Sequence, residues 1–115
     1  MAEFEIDDGT VLFKTVHNAA KKLATVNILS EIIGSEDAIN AKKINTATDE
    51  GKRGFYFIRI YRCLSAMYSG NTEHMRLWLT GYNAGTGGTP TEQIKDREGL
   101  ITVMEYLEGM HYGKH

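Results

Sequence analysis

The sequence predicts an all-α fold of about six helices, and three observations carry that prediction. Apolar residues recur at spacings of three and four through most of the chain, as in Leu12, Val16, Ala19, Ala20 and Leu23. Glycine or a Ser, Thr, Asn or Asp stands at the ends of these runs, where helices need terminators and caps. Alternation of apolar and polar residues is confined to Phe4 and Ile6 among Glu3, Glu5 and Asp7, which reads as a lead-in rather than a strand.

A chain of 115 residues is one domain, or two small helical units that share a core. With 42% hydrophobic and 24% charged residues it has the composition of a packed protein, not of a disordered tail. The organisation read here is an N-terminal helix-turn-helix-like region over 1–50 and a C-terminal helical domain over 51–115. A single cysteine, Cys63, allows no internal disulfide and fits a reducing compartment. The first residues lack the basic start and apolar run of a secretory signal, and nothing approaches the roughly 20 apolar residues of a membrane span. The expected location is cytoplasmic, with no membrane partner. Charge is uneven, with five Lys against nine Asp or Glu in residues 1–50, so that half is acidic and the rest is slightly basic.

The first helix is expected from Thr10, which can cap it, with Lys14, Asn18, Lys21 and Lys22 on the wet face. A second, short helix starts at Thr25 or Asn27, carries Leu29, Ile32 and Ile33, and stops at Gly34. Ser35 caps a third helix, with Glu36 and Asp37 in its first turn and Ala38, Ala41 and Ile44 as its apolar stripe. Helix, glycine turn and capped helix make the outline of a helix-turn-helix, though any three-helix unit shows the same outline. Residues 45–54 read as a polar connection with two glycines. The most amphipathic helix follows over Phe55 to Ser69, with Phe57, Ile60, Tyr61, Leu64, Met67 and Tyr68 inward and Arg59 and Arg62 opposite. Gly70 ends it. Asn71 or Thr72 caps the next, whose inner face is Met75, Trp78 and Leu79, and Gly81 terminates that one. After a turn over Tyr82–Thr89, Thr89 and Glu92 form a capping box around Pro90. The last helix runs from Asp96 to Met110, lined by Leu100, Val103, Met104, Leu107 and His111. Gly99 costs this helix about 1 kcal/mol against alanine, so it marks a close approach by another element.

Little in these residues suggests catalysis. The turn YNAGTGGT lacks the GK[ST] ending of a phosphate loop and the GxGxxG of a dinucleotide site. Cys63 has no histidine nearby in sequence and reads as a small buried hydrophobe. Trp78 reads as core. His111 and His115 stand four apart, but Gly113 breaks the helix that would align them on a metal. No cofactor or metal is expected. Asn40, Lys42, Lys43 and Asn45 have side chains that suit DNA, lysine to phosphate or guanine and asparagine to adenine. The plainer reading is a solvated face, and Glu36 and Asp37 at the front of the same helix repel phosphate.

The C-terminal part resembles the Xre/MbcA/ParS-type antitoxins. The residues are RLWLTGYN, then GGTP, then REGLITVMEYLEGMHYG, with RIYRCLSAMYSGNTEHMRLWL similar to the family's leading helix pair. The resemblance covers about 55–113, and the order of Trp78, Gly88, Pro90, Gly99 and Gly113 makes it specific. Two departures stand out. Thr91-Glu92-Gln93-Ile94 replaces a run that is generally Leu-Glu-Leu-Leu, and Thr86 stands in a turn that usually includes a leucine. The resemblance implies the antitoxin of a type II toxin–antitoxin pair, with residues 51–115 as the toxin-binding domain. It implies a RES-domain toxin that destroys NAD as partner, reached by Met110, His111, Tyr112, Gly113, Lys114 and His115. It also implies self-association into a homo-oligomer and repression at operator DNA through the N-terminal region. The alternative is a DNA-binding regulator that uses residues 25–50 and has no toxin partner.

Overall fold

The computed structural model describes residues 7–112, and over them the chain is all-α. The elements are α1 (Asp8–Leu23), a 3-10 turn (Val26–Ile28) that runs into α2 (Leu29–Ile33), α3 (Glu36–Ala41), α4 (Asp49–Met67), α5 (Thr72–Thr80), α6 (Pro90–Gln93) and α7 (Arg97–His111). Among the described residues the β-type pairing is one isolated antiparallel bridge, Asn83 to Gly88.

The molecule is built around α4, which packs against α1, α2, α5 and α7. Its contact with α7 is framed by two ion pairs. Arg97 meets Asp49 at 2.9 Å where both helices begin, and Arg59 meets Glu108 at 2.5 Å towards the far end. The paired positions advance together along both helices, so α4 and α7 run side by side in the same direction. Parallel neighbours need a crossover, and α5, the glycine turn and α6 supply it.

The start of α4 differs from expectation. The helix begins at Asp49 rather than Phe55, because Thr48 caps it, its hydroxyl accepting from the Gly51 amide at 3.2 Å. Gly51 and Gly54, which read as linker residues, are helical and buried. A Cβ on Gly51 would lie 2.5 Å from the Asn45 carbonyl oxygen, and one on Gly54 would lie 3.3 Å from Val16. The glycines are there for close packing. Position 50/51 thus lies in the first turn of a helix that touches both the early and the late elements.

At the other end of the same region, Asp7 rather than Thr10 caps α1. Its carboxylate accepts from the amides of Gly9 (2.8 Å) and Thr10 (3.2 Å), which puts Thr10 inside the helix. Lys43 fixes that carboxylate from the side at 2.8 Å, and together with the amide bonds holds the Asp7 carboxyl below the usual carboxylate range. Next to this contact, the Ile44 amide donates to the Gly9 carbonyl at 3.0 Å. Ile44 was expected on the third helix. That helix stops at Ala41, with Lys42 left-handed at φ 56, and Ile44 is buried beyond it.

Two arginines tie the early helices to the later ones by bonding to exposed helix ends. The last carbonyls of a helix have no partner within it. Arg53 of α4 donates to the carbonyls of Ile32 (2.8 Å) and Glu31 (2.7 Å), closing α2 where Gly34 turns at φ 84. Arg76 of α5 donates to the Lys22 carbonyl at 2.8 Å, closing α1. Between these ties lies one apolar cluster drawn from α1, α2, α4, α5 and α7, with Phe57, Ile60, Leu64 and Leu107 fully buried. Each such side chain contributes about 1.5–3 kcal/mol of burial free energy.

Candidate functional site

The site of interest is the outer end of α7, and its position is fixed from the other end of the helix. The Asp96 carboxylate caps α7 by accepting from the Gly99 amide at 2.8 Å. Gly99 is obligatory here, since a Cβ would overlap the Gln93 carbonyl of α6. The close approach read from the sequence is therefore α6 lying across the start of α7. The expected capping box at Thr89 does not form. The Thr89 side chain makes no capping bond, and Glu92 pairs instead with Lys95 at 3.1 Å. Pro90 does occupy the first turn.

From there Leu100, Val103, Met104 and Leu107 turn inward and are buried. The Arg59 guanidinium grips Glu108 with two bonds, 2.7 and 2.5 Å, and that carboxylate holds the arginine proton more firmly than usual. Arg59, which the sequence places opposite the apolar stripe, is committed within the chain. Past Glu108 the helix outruns the core. His111, expected to extend the apolar stripe, is exposed, as are Met110 and Tyr112. The rings of His111 and Tyr112 meet edge to face, 4.7 Å between centroids. Three of the six residues singled out for toxin contact are thus brought together on one exposed helix end, and Gly113, Lys114 and His115 lie outside the described residues.

The glycine turn behind this helix is a packed corner. Gly85 lies against the Tyr106 ring, where a Cβ would overlap it. On that ring's side Trp78 stacks at 6.4 Å and 19°, half-buried rather than the full core residue expected. Thr86 is only 6% exposed, and its hydroxyl lies 3.3 Å from the Asn83 and Gly88 carbonyls. Gln93 donates to the Thr86 carbonyl at 2.6 Å. The two polar departures from the family pattern are therefore bonded to each other. The amides of Thr86, Gly87 and Gly88 all go to Asn83, which leaves them committed inside the loop rather than aimed at an anion.

The four residues considered for DNA cluster at the end of α3, and all are exposed. Asn40 is on the helix and Lys42 at its C-cap. Lys43 is ion-paired with Asp7, and the Asn45 side chain accepts from the Ala47 amide at 2.9 Å. The helix itself has six residues, none of them buried, and opens with Glu36 and Asp37. Cys63 is buried as expected, and burial pushes its thiol up. Among the described residues no group of three or more His, Cys, Asp or Glu could hold a metal ion, and no helix is long and apolar enough to cross a membrane.

Residues 63–113 match the family model of the antitoxin Xre/MbcA/ParS C-terminal toxin-binding domain. The match makes this segment similar to such a domain, over less than half of the chain. The match opens at Cys63, within α4, and takes in α5, the polar corner, α6 and α7 as far as Gly113. The match supports an antitoxin role with a toxin as partner. No curated protein matches the chain. Two arginine bonds hold this segment to the preceding part of the chain, Arg59 to Glu108 and Arg76 to the Lys22 carbonyl, and neither bond was read in the sequence. The signal available was only that helix ends need donors; which arginine meets which end is set by packing.

Proposed function

We propose that this antitoxin neutralises a RES-domain toxin that destroys NAD, acting in the cytoplasm by binding and not by turnover. The end of α7 with the residues after it, Met110 to His115, covers the toxin's active-site cleft. One observation carries this reading. The domain's last helix has its inner face buried and its carboxyl end gripped by Arg59, yet it presents Met110, His111 and Tyr112 outward. A rigid helix end with aromatic side chains loses little entropy on binding. Lys114, and His115 when protonated, suit a cleft shaped for an anionic dinucleotide. Co-expression with the co-encoded toxin tests it. Deleting Tyr112–His115 should abolish growth rescue while the truncated chain accumulates normally. Full rescue by the truncated chain would reject the role of this end, and NAD turnover by the purified antitoxin would reject a purely binding role.

A second reading, a regulator that binds operator DNA as a homo-oligomer through residues 25–50, is favoured by exposed Asn40 on the Ser35-capped helix and exposed Lys42 at its end. Gel-shift titration on the upstream DNA at several salt concentrations decides it. A sequence-preferring complex that weakens steeply with salt is the expected result, and its absence rejects DNA binding.

A further inference from the structure

The helix α5 presents an apolar surface outward. Leu77 is 63% exposed on it, and Tyr68, His74, Leu77 and Trp78 line a shallow groove of about 430 Å³. The walls of the groove are held by ring contacts. Tyr68 and His74 meet edge to face at 6.0 Å, and Trp78 is stacked on Tyr106 of α7. Tyr106 and Met110 stand four apart in α7, and residues at that spacing are neighbours on one helix face. An apolar strip therefore runs from Leu77 through Trp78 and Tyr106 to Met110, where the exposed helix end begins. The most exposed large apolar side chains among the described residues are Tyr82, Leu77 and Tyr112, and all of them stand within residues 63–113.

Resting on the reading of Met110 to His115 as the end that covers the toxin's cleft, we propose that this strip is a second contact with that toxin. The groove takes an apolar side chain from the toxin surface beside the cleft. A stable interface takes about 800 Å² and 20–30 residues from each partner, and a helix end of six residues supplies only a fraction of that. The remainder comes from surface next to that end, and the strip is apolar surface continuous with it. Its residues suit the task, because tryptophan and tyrosine are the side chains that most often anchor an interface. Rings already fixed against Tyr106 and His74 lose little entropy on binding. A nucleic acid matches the strip less well. Glu73 stands exposed on the same helix, and Arg76 is spent on the Lys22 and Lys21 carbonyls of α1, whereas a phosphate backbone calls for free cations.

The test is calorimetric titration of the purified co-encoded toxin with the full chain, Leu77→Lys and Leu77→Met. Leu77 is exposed, and lysine and methionine have helix propensities close to that of leucine, so both variants should unfold at the temperature of the unsubstituted chain. Leu77→Lys should bind the toxin at least about tenfold more weakly. Leu77→Met keeps an apolar side chain in the groove and should bind as the unsubstituted chain does. The Leu77 methyl signals of the unsubstituted chain should also shift when the toxin is added. Equal affinity in Leu77→Lys, or unshifted methyl signals, overturns the proposal. If Met110→Ala/Tyr112→Ala is weakened in the same titration, that outcome leaves the role of the α7 end intact. The converse, with Leu77→Lys weakened and the α7 variant unchanged, leaves the α5 contact standing and rejects the α7 end. A dimer in sedimentation that Leu77→Lys dissociates, with toxin affinity unchanged, overturns the proposal by assigning the strip to a second copy of the chain.

Discussion

α3 and α7 both end in exposed residues fit for a partner, and they are held in opposite ways. α3 has six residues, none buried, and is fixed by its Ser35 cap and by packing on α2. α7 has fifteen, with four buried, an ion pair at each end of its contact with α4, and α6 pressed against its first turn. A surface that must enter a cleft needs a fixed launching point, and α7 supplies one. α3 is a lighter element whose front is acidic. Position, more than residue type, separates the two.

The contrast is sharpened most by Gly99→Ala. The added methyl cannot coexist with the Gln93 carbonyl, so α6 or the start of α7 must shift, with an expected loss of about 3 kcal/mol or more in urea unfolding. Asn40→Ala on α3 should change stability by less than about 0.5 kcal/mol. Comparable losses from the two would erase the distinction. Leu107→Ala removes a fully buried side chain from α7 and should cost about 2–5 kcal/mol.

Arg59→Met comes next. The pair with Glu108 is partly exposed, so after solvent screening its loss should be no more than about 1 kcal/mol. The fall in toxin affinity should exceed what that small loss explains, because the helix end past Glu108 loses its anchor. Affinity unchanged in Arg59→Met would show that the anchor does not matter.

The smallest effect is a pH dependence on the α1 and α3 side. The Asp7 carboxyl is lowered by its bonds to Lys43 and to the Thr10 and Gly9 amides. Its contribution is therefore fully present above the ordinary aspartate value, about 3.9, and is lost as pH falls through the lower folded value. Asp7→Asn should flatten this part of the acid unfolding curve, being slightly less stable than the unsubstituted chain at neutral pH and converging with it in acid. An unchanged acid limb would show that Asp7 is not the group responsible.

Local chemistry was legible in the sequence and distant chemistry was not. Ser35, Asn71 and Gly34 act where they stand in the chain: Ser35 and Asn71 cap helix starts and Gly34 ends a helix, as read. Gly99 was legible as a close approach because glycine in a helix interior needs a reason. Gly51 and Gly54 misled, since glycine signals a turn and a tight contact equally, and the contact lies with α1 and residues 45–46. Thr10 was read as the cap of α1, whereas Asp7 takes that place with its carboxylate held by Lys43, far along the chain. The bond from Arg59 to Glu108 spans 49 positions, and no local pattern marks it. At the outer end of α7, the exposure of His111 depends on where the core stops, which periodicity does not encode.

The most direct test of the account is calorimetric titration of the purified toxin with the full chain and with the variant Met110→Ala/Tyr112→Ala. These side chains lie beyond the buried stripe, so the variant should unfold at the same temperature as the unsubstituted chain. The account predicts that its affinity falls at least about tenfold, or 1.4 kcal/mol. Equal affinity in a chain of equal stability would contradict the assignment of the α7 end as the surface that holds the toxin.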